Sequence, residues 1–351
     1  MAETALYRKY RPQRFKDVIG QDHITLVLEG AIERGAISHA YLFSGSRGTG
    51  KTSVARIFAR EIGTSPNDLY EIDAASNRGI DDVRAIRDGV SVLPFESKYK
   101  VYIVDEVHML TKEAFNALLK TLEEPPSHAV FILATTEIEK LPDTIVSRCE
   151  THQFKKPNQQ ILKEMVVAVA KKEGISIDTP SAELIALLGD GSFRDAQGIL
   201  QKIIGSGSSS DSGKKISLAD IEKITGAPKA GLVNDVIAAL AEKNIDKGVG
   251  AARRAGEGNI DMKLFLKLIL QKLRFVLLLR VAPTMKKVIE EEVSEEDFAF
   301  LEKLAGEKNA GINSRTLVAF IDAYEQTGRT YIPELPLELA LISSIGNNSE
   351  E

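Results

Sequence analysis

Gly45-Ser46-Arg47-Gly48-Thr49-Gly50-Lys51-Thr52 is a Gly-x-x-x-x-Gly-Lys-Thr stretch, followed by Ser53. Glycines at these positions let successive backbone N–H groups point inward at a phosphate. A helix starting at Lys51 adds its positive dipole end to the same anion. In such a loop Lys51 reaches the β- and γ-phosphates and Thr52 ligates Mg²⁺. A glycine-rich turn without a ligand is the plain alternative. It is disfavoured because every fixed position is present, with the apolar run Ala40-Tyr41-Leu42-Phe43 before the loop and a helical pattern from Ser53 to Ile62 after it.

A phosphate cradle implies nucleotide binding and leaves open what hydrolyses the nucleotide. Downstream, Lys100-Val101-Tyr102-Ile103-Val104 reads as a buried parallel strand running into Asp105-Glu106. Ligands of doubly wound sheets sit at the carboxyl ends of strands, so both acids are expected beside the glycine loop. Asp105 suits Mg²⁺ through water, and Glu106 suits orienting and polarising an attacking water. An Asp-Glu pair alone would read as a solvated loop. The complete glycine loop upstream decides against that.

The chain that must hold these groups has 351 residues, 43% hydrophobic, with net charge −5. That allows two or three domains with real cores and leaves no global basic footprint, so any nucleic-acid contact must come from a local patch. One cysteine, Cys149, and five histidines without ligand spacing cannot build a disulfide framework or a zinc site. The N-terminus lacks a signal pattern, and the apolar run Leu264 to Val281 is interrupted by Lys267, Lys272, Arg274 and Arg280. A cytoplasmic protein with no membrane segment is expected.

The basic and aromatic start Tyr7-Arg8-Lys9-Tyr10-Arg11-Pro12, with Val18-Ile19 beyond it, can wall an adenine or simply cover the core as an arm. Residues 24 to 34 read as a short amphipathic helix. Strands follow at 40–43, 69–72, 100–104 and 130–136, the last ending in the hydroxyls of Thr135 and Thr136. Helices lie between them, one starting near Ile80 and one from Lys112 to Glu123 capped by Thr111. This alternation gives an α/β parallel sheet over 1–155. From Pro157 the strand signal disappears and an all-helical remainder is expected: a lid over 156–227, interrupted by the flexible Gly205 to Gly213, an all-α oligomerisation domain over 228–346, and a tail, 347–351.

Several stretches together resemble the bacterial DNA polymerase III gamma/tau subunit family. They are Tyr7-Arg8-Lys9-Tyr10-Arg11-Pro12, the glycine loop, Asp105-Glu106-Val107-His108-Met109-Leu110, Lys120-Thr121-Leu122-Glu123-Glu124-Pro125-Pro126, Ala134-Thr135-Thr136, Ser147-Arg148-Cys149 and Gly191-Ser192-Phe193-Arg194-Asp195-Ala196. The match spans residues 5 to about 227 and continues more loosely to Pro336-Leu337-Glu338-Leu339-Ala340-Leu341, which looks like the last helix of the family's collar domain. The resemblance implies an AAA+ P-loop ATPase with helical lid and collar, the motor of a sliding-clamp loader that uses ATP and Mg²⁺. It implies delta and delta-prime partners, further copies of the chain, the clamp and primer-template DNA. It makes Thr136 the γ-phosphate sensor, Arg194 the lid sensor, and Arg148 a finger acting on a neighbouring subunit's ATP. Without it, Arg148 reads as a surface ion pair and Arg194 as a charge at a helix start.

The helix starts near Arg78-Gly79 and Thr111-Lys112 are where DNA phosphates are expected, met by Arg78, Lys112 and backbone N–H groups. Two departures from the family stand out. A four-cysteine zinc module is expected between the P-loop helix and second strand, whereas Glu61 to Asp68 joins them directly, so no zinc is expected. The chain also ends just after the collar pattern, as the short gamma form does. Two rivals remain: a non-hydrolysing scaffold of the delta-prime type, opposed by the intact Lys51, Thr52, Asp105 and Glu106, and another AAA+ DNA motor such as a branch-migration helicase, opposed by the helical pattern after residue 227.

Overall fold

The computed structural model describes residues 4–77, 79, 86–206, 215–293, 295–307 and 311–346. Five strands, β1 (Ala40–Ser44), β2 (Leu69–Asp73), β3 (Lys100–Asp105), β4 (Ala129–Thr135) and β5 (Glu150–Gln153), form a parallel sheet in the order β2-β3-β4-β1-β5. Every residue of β1 and β4 is buried, as is β3 up to Val104. That explains their largely apolar sequence, since a parallel sheet is covered on both faces. β5 escapes the sequence reading because it is a four-residue edge strand, Glu-Thr-His-Gln, that buries only His152.

Side chains alternate across the sheet. Tyr41, Phe43, Val101, Ile103, Val130 and Ile132 face helix α1 (Asp22–Glu33) and helix α2 (Lys51–Glu61), with Ile24, Leu28, Val54, Ile57 and Phe58 completing that layer. Ala40, Leu42, Tyr102, Val104, Phe131 and Leu133 face the other way, onto Phe115, Leu118 and Leu122 of helix α3 (Lys112–Glu123). Thr111 caps α3 by accepting the Ala114 N–H at 3.2 Å. Ile80, where a helix start is expected, lies outside the described residues; 86–90 are helical.

Contacts divide the chain into two compact units, Met1–Met165 with Gly189–Gly198, and Val166–Leu188 with Ile199–Glu351. The sheet belongs to the first. The second is mainly helical, built around a 20-residue helix, α4 (Met262–Val281), that buries Phe265, Leu266, Ile269, Leu273 and Val276. Lys272 of α4 is also buried and is held by Asp297 at 2.6 Å and Asn234 at 2.8 Å. Among the described residues no helix is long and apolar enough to cross a membrane. The expectation of no strand after Pro157 is corrected by β6 (Ser176–Ile177) and β7 (Lys215–Ile216), which pair in parallel. Two-residue strands carry no periodicity, so a pattern search passes over them.

Candidate active site

The glycine loop leaves the carboxyl end of β1 and turns on three positive φ angles, 140° at Gly45, 75° at Gly48 and 106° at Gly50, a region that side chains other than glycine rarely adopt. Space reinforces this at two of them. A Cβ on Gly45 would lie 2.5 Å from the Phe154 carbonyl oxygen, and one on Gly48 would lie 2.0 Å from Ser192 Oγ. The Phe193 N–H donates to the Gly48 carbonyl at 3.0 Å, so the loop's tip is bonded to the start of helix α5 (Phe193–Gly205).

Lys51 opens α2 with only 5% of its surface exposed, and Nζ donates to the Gly45 and Ser46 carbonyls at 2.7 and 3.0 Å. Burial lowers its ammonium from the ordinary lysine value, opposed by the charges of Glu106 and Asp105. The Thr52 hydroxyl donates to Asp105 Oδ2 at 2.8 Å, and Asp105 Oδ1 accepts the Glu106 N–H at 3.1 Å. At Glu106 the chain leaves β3 through a left-handed φ of 49°, a conformation costing about 1–3 kcal/mol that persists only where its surroundings impose it. Glu106 Oε2 accepts both the N–H and the hydroxyl of Thr136, at 3.3 and 3.0 Å. β4 lies between β1 and β3, so Thr136, just past its end, sits between loop and acids.

Lys51, Thr52, Asp105 and Glu106 open on a cleft of about 310 Å³, whose lining does not include Thr136. Of the residues singled out in the sequence, Arg47 through Ser53, Asp105, Glu106 and Arg194 line it, and so do Tyr7, Arg11, Val18 and Ile19 of the N-terminal arm. The Arg194 guanidinium lies 4.9 Å from the centre of the Tyr7 ring, and Arg8, with Arg194 adding to it, holds the Tyr7 hydroxyl below the usual tyrosine range. Gly45 and Ser46 contribute their carbonyls to Lys51. Arg148 is placed elsewhere, donating to Glu123 Oε1 at 2.6 Å and to the Thr144 carbonyl at 2.7 Å. Lys112 is exposed at the first position of α3, and Arg78 lies outside the described residues. Tyr10, Met165, Phe193 and Gln197 also line the cleft. Spacing could not have found Met165 and Gln197, which meet through a 3.3 Å contact from Gln197 Nε2 to Met165 Sδ between distant segments.

The profile of the family described as DNA polymerase III, delta subunit, matches residues 63–158. The tau subunit of DNA polymerase III from Bacillus subtilis is 38% identical over 97% of this chain and 63% of its own length. The gamma subunit of DNA polymerase III from Buchnera aphidicola is 35% identical, and the match covers 80% of each chain. The chain belongs to the DNA polymerase III gamma/tau family. It spans 63% of the Bacillus tau subunit and 52% of the Mycobacterium bovis gamma/tau subunit, which is 37% identical to it. Among solved structures, the RuvB Holliday junction branch migration motor of Thermotoga maritima superposes with a TM-score of 0.53 over 66% of this chain and 80% of its own, at 23% identity. That likeness is one of fold, and the fold of this gamma/tau family member is AAA+.

Proposed function

We propose that the chain is the ATP-hydrolysing motor subunit of a clamp loader, spending ATP to open a sliding clamp and place it on primer-template DNA. The observation that carries this is the convergence, at the ends of β1, β3 and β4, of a buried Lys51, the Thr52–Asp105 bond and a Glu106 held by Thr136. A scaffold without turnover has no need of that set. Tyr7, Arg11, Val18 and Ile19 receive the base, and the N–H groups of the loop receive the phosphates. Lys51 balances phosphate charge, and Glu106 orients the attacking water, which is most of what phosphoryl transfer asks of a protein. The Thr52 hydroxyl and the Asp105 carboxylate are hard oxygen donors suited to Mg²⁺, which supplies charge neutralisation on the β- and γ-phosphates when bound. Arg194, on the first turn of α5, carries the state of the nucleotide to that helix, and Thr136 reads the γ-phosphate. Arg148 acts on the nucleotide of a neighbouring copy.

Delta and delta-prime subunits, further copies of this chain, the clamp and primed DNA are the partners of this reading, in the cytoplasm, and the domain limits are those of core, lid and collar given above. Lys112, exposed at a helix start, is its candidate phosphate contact. The test separates cradle from water. Lys51→Ala abolishes ATP binding, whereas Glu106→Gln retains binding and loses turnover by at least about a hundredfold. Parental hydrolysis by the Glu106→Gln protein would remove the assignment.

A further inference from the structure

His108 lies outside the cleft lining, and nothing in the phosphate cradle requires it. Its side chain is only 5% exposed. It sits on the turn Val107–Met109, directly after the left-handed Glu106. Three groups surround its ring: the Thr135 hydroxyl, 2.9 Å from Nδ1, Glu137 Oε1, 3.3 Å from Nε2, and Glu106 Oε2, 3.5 Å from Nδ1.

The Nε2 edge of the ring faces the Glu137 carboxylate, which is itself paired with Lys140 at 2.7 Å. The Nδ1 edge is hydrogen-bonded to Thr135 Oγ1, which also accepts the Glu137 N–H at 3.0 Å and is thereby fixed in place. The same Nδ1 edge packs against Glu106 Oε2, the oxygen that accepts both Thr136 donors. Oε1 accepts no hydrogen bond among the described residues and is the oxygen left to take a water.

We infer that His108 is a positioning residue for Glu106. Locked between Thr135 and Glu137, it is a backstop that keeps Oε2 on Thr136 and Oε1 directed to the reacting water. The inference rests on the proposed role of Glu106 in hydrolysis. It adds a link from the tip of β4 to the turn after β3, so that Thr135, Thr136 and Glu137 act on one carboxylate.

The test is single-turnover ATP hydrolysis by the full chain, with nucleotide affinity and melting temperature measured in parallel. His108→Ala lowers the rate about ten- to a hundredfold with KM for ATP unchanged, because misplacing a reacting group by about 1 Å costs that much. His108→Asn, which keeps a polar hydrogen-bonding atom near the Nδ1 position, retains most of the rate, while His108→Gln, which reaches only the Nε2 position, does not. In a Glu106→Gln background His108→Ala produces no further loss, since its effect passes through the carboxylate. An equal loss in both backgrounds, no loss in the parental one, or a raised KM at unchanged rate would overturn the inference. If His108→Ala does not fold, the Asn and Gln variants decide, and equal rates for the two overturn it. Parental turnover by Glu106→Gln alone is a separate result, and it removes the hydrolytic role of Glu106 itself.

Discussion

A methyl group at Gly48 would meet Ser192 Oγ at 2.0 Å on a backbone held at φ 75°. Both the clash and the backbone angle oppose Gly48→Ala, which should cost about 1–3 kcal/mol and lower the melting temperature. Adding Ser192→Gly removes the clash and leaves the angle, so thermal denaturation should show partial recovery in the double variant. Full recovery would mean that the φ angle carries no strain. The residue scale is also where the sequence is most legible. Lys51, Thr52, Asp105 and Glu106, which the structure brings together, are readable because the proposed phosphate chemistry fixes residue type and spacing together. Met165 and Gln197 are not, because only the fold brings them to the cleft. His108 stands between these cases: it is visible beside Asp105-Glu106, but its partners Thr135 and Glu137 come from another strand end.

At the scale of elements, the connection from α2 to β2 depends on one carboxylate. Asp68 is 1% exposed, and it accepts the main-chain N–H groups of Glu96 at 3.0 Å, Phe95 at 2.5 Å and Ser97 at 2.9 Å. Burial alone would raise its pKa, and these bonds more than offset that, leaving it at about 2. Because the folded value lies below the unfolded one, the stabilisation is complete above about pH 4 and is lost as pH falls towards the folded value. Asp68→Asn should therefore flatten the acid limb of stability between about pH 4 and 2 and cost about 1–3 kcal/mol near neutrality. Denaturant melts across that range check both. In the second unit, Lys272→Ala should cost about 3 kcal/mol by breaking a nearly buried ion pair, whereas Lys272→Met with Asp297→Leu should cost far less. Elements with strong local signals, such as Thr111 capping Lys112–Glu123, could be read to the residue. β5, β6 and β7 could not, because their pairing is decided by tertiary contact and their lengths are too short for a pattern.

At the scale of the whole molecule, the net charge of −5 spreads no basic field over the surface, so the primed DNA of the proposed function would have to be met by local groups. The guanidinium of Arg148, proposed to act on a neighbouring copy, is tied to Glu123 and the Thr144 carbonyl and lies apart from the cleft lining. A finger supplied in trans is worth roughly 10³ to 10⁵ in turnover, so an Arg148→Ala chain mixed with a Lys51→Ala chain and the other loader subunits should regain activity that neither variant shows alone. No activity in any mixture, with assembly verified, would assign Arg148 to its own nucleotide or to structure. Clamp loading by this chain is decided by its ATP turnover when reconstituted with delta and delta-prime subunits, with and without a sliding clamp and primer-template DNA. A clamp-loader motor should hydrolyse slowly as the chain alone, show a marked rise when clamp and primed DNA are both present, and leave clamp on the DNA. Absent hydrolysis, or hydrolysis indifferent to clamp and DNA, would contradict it.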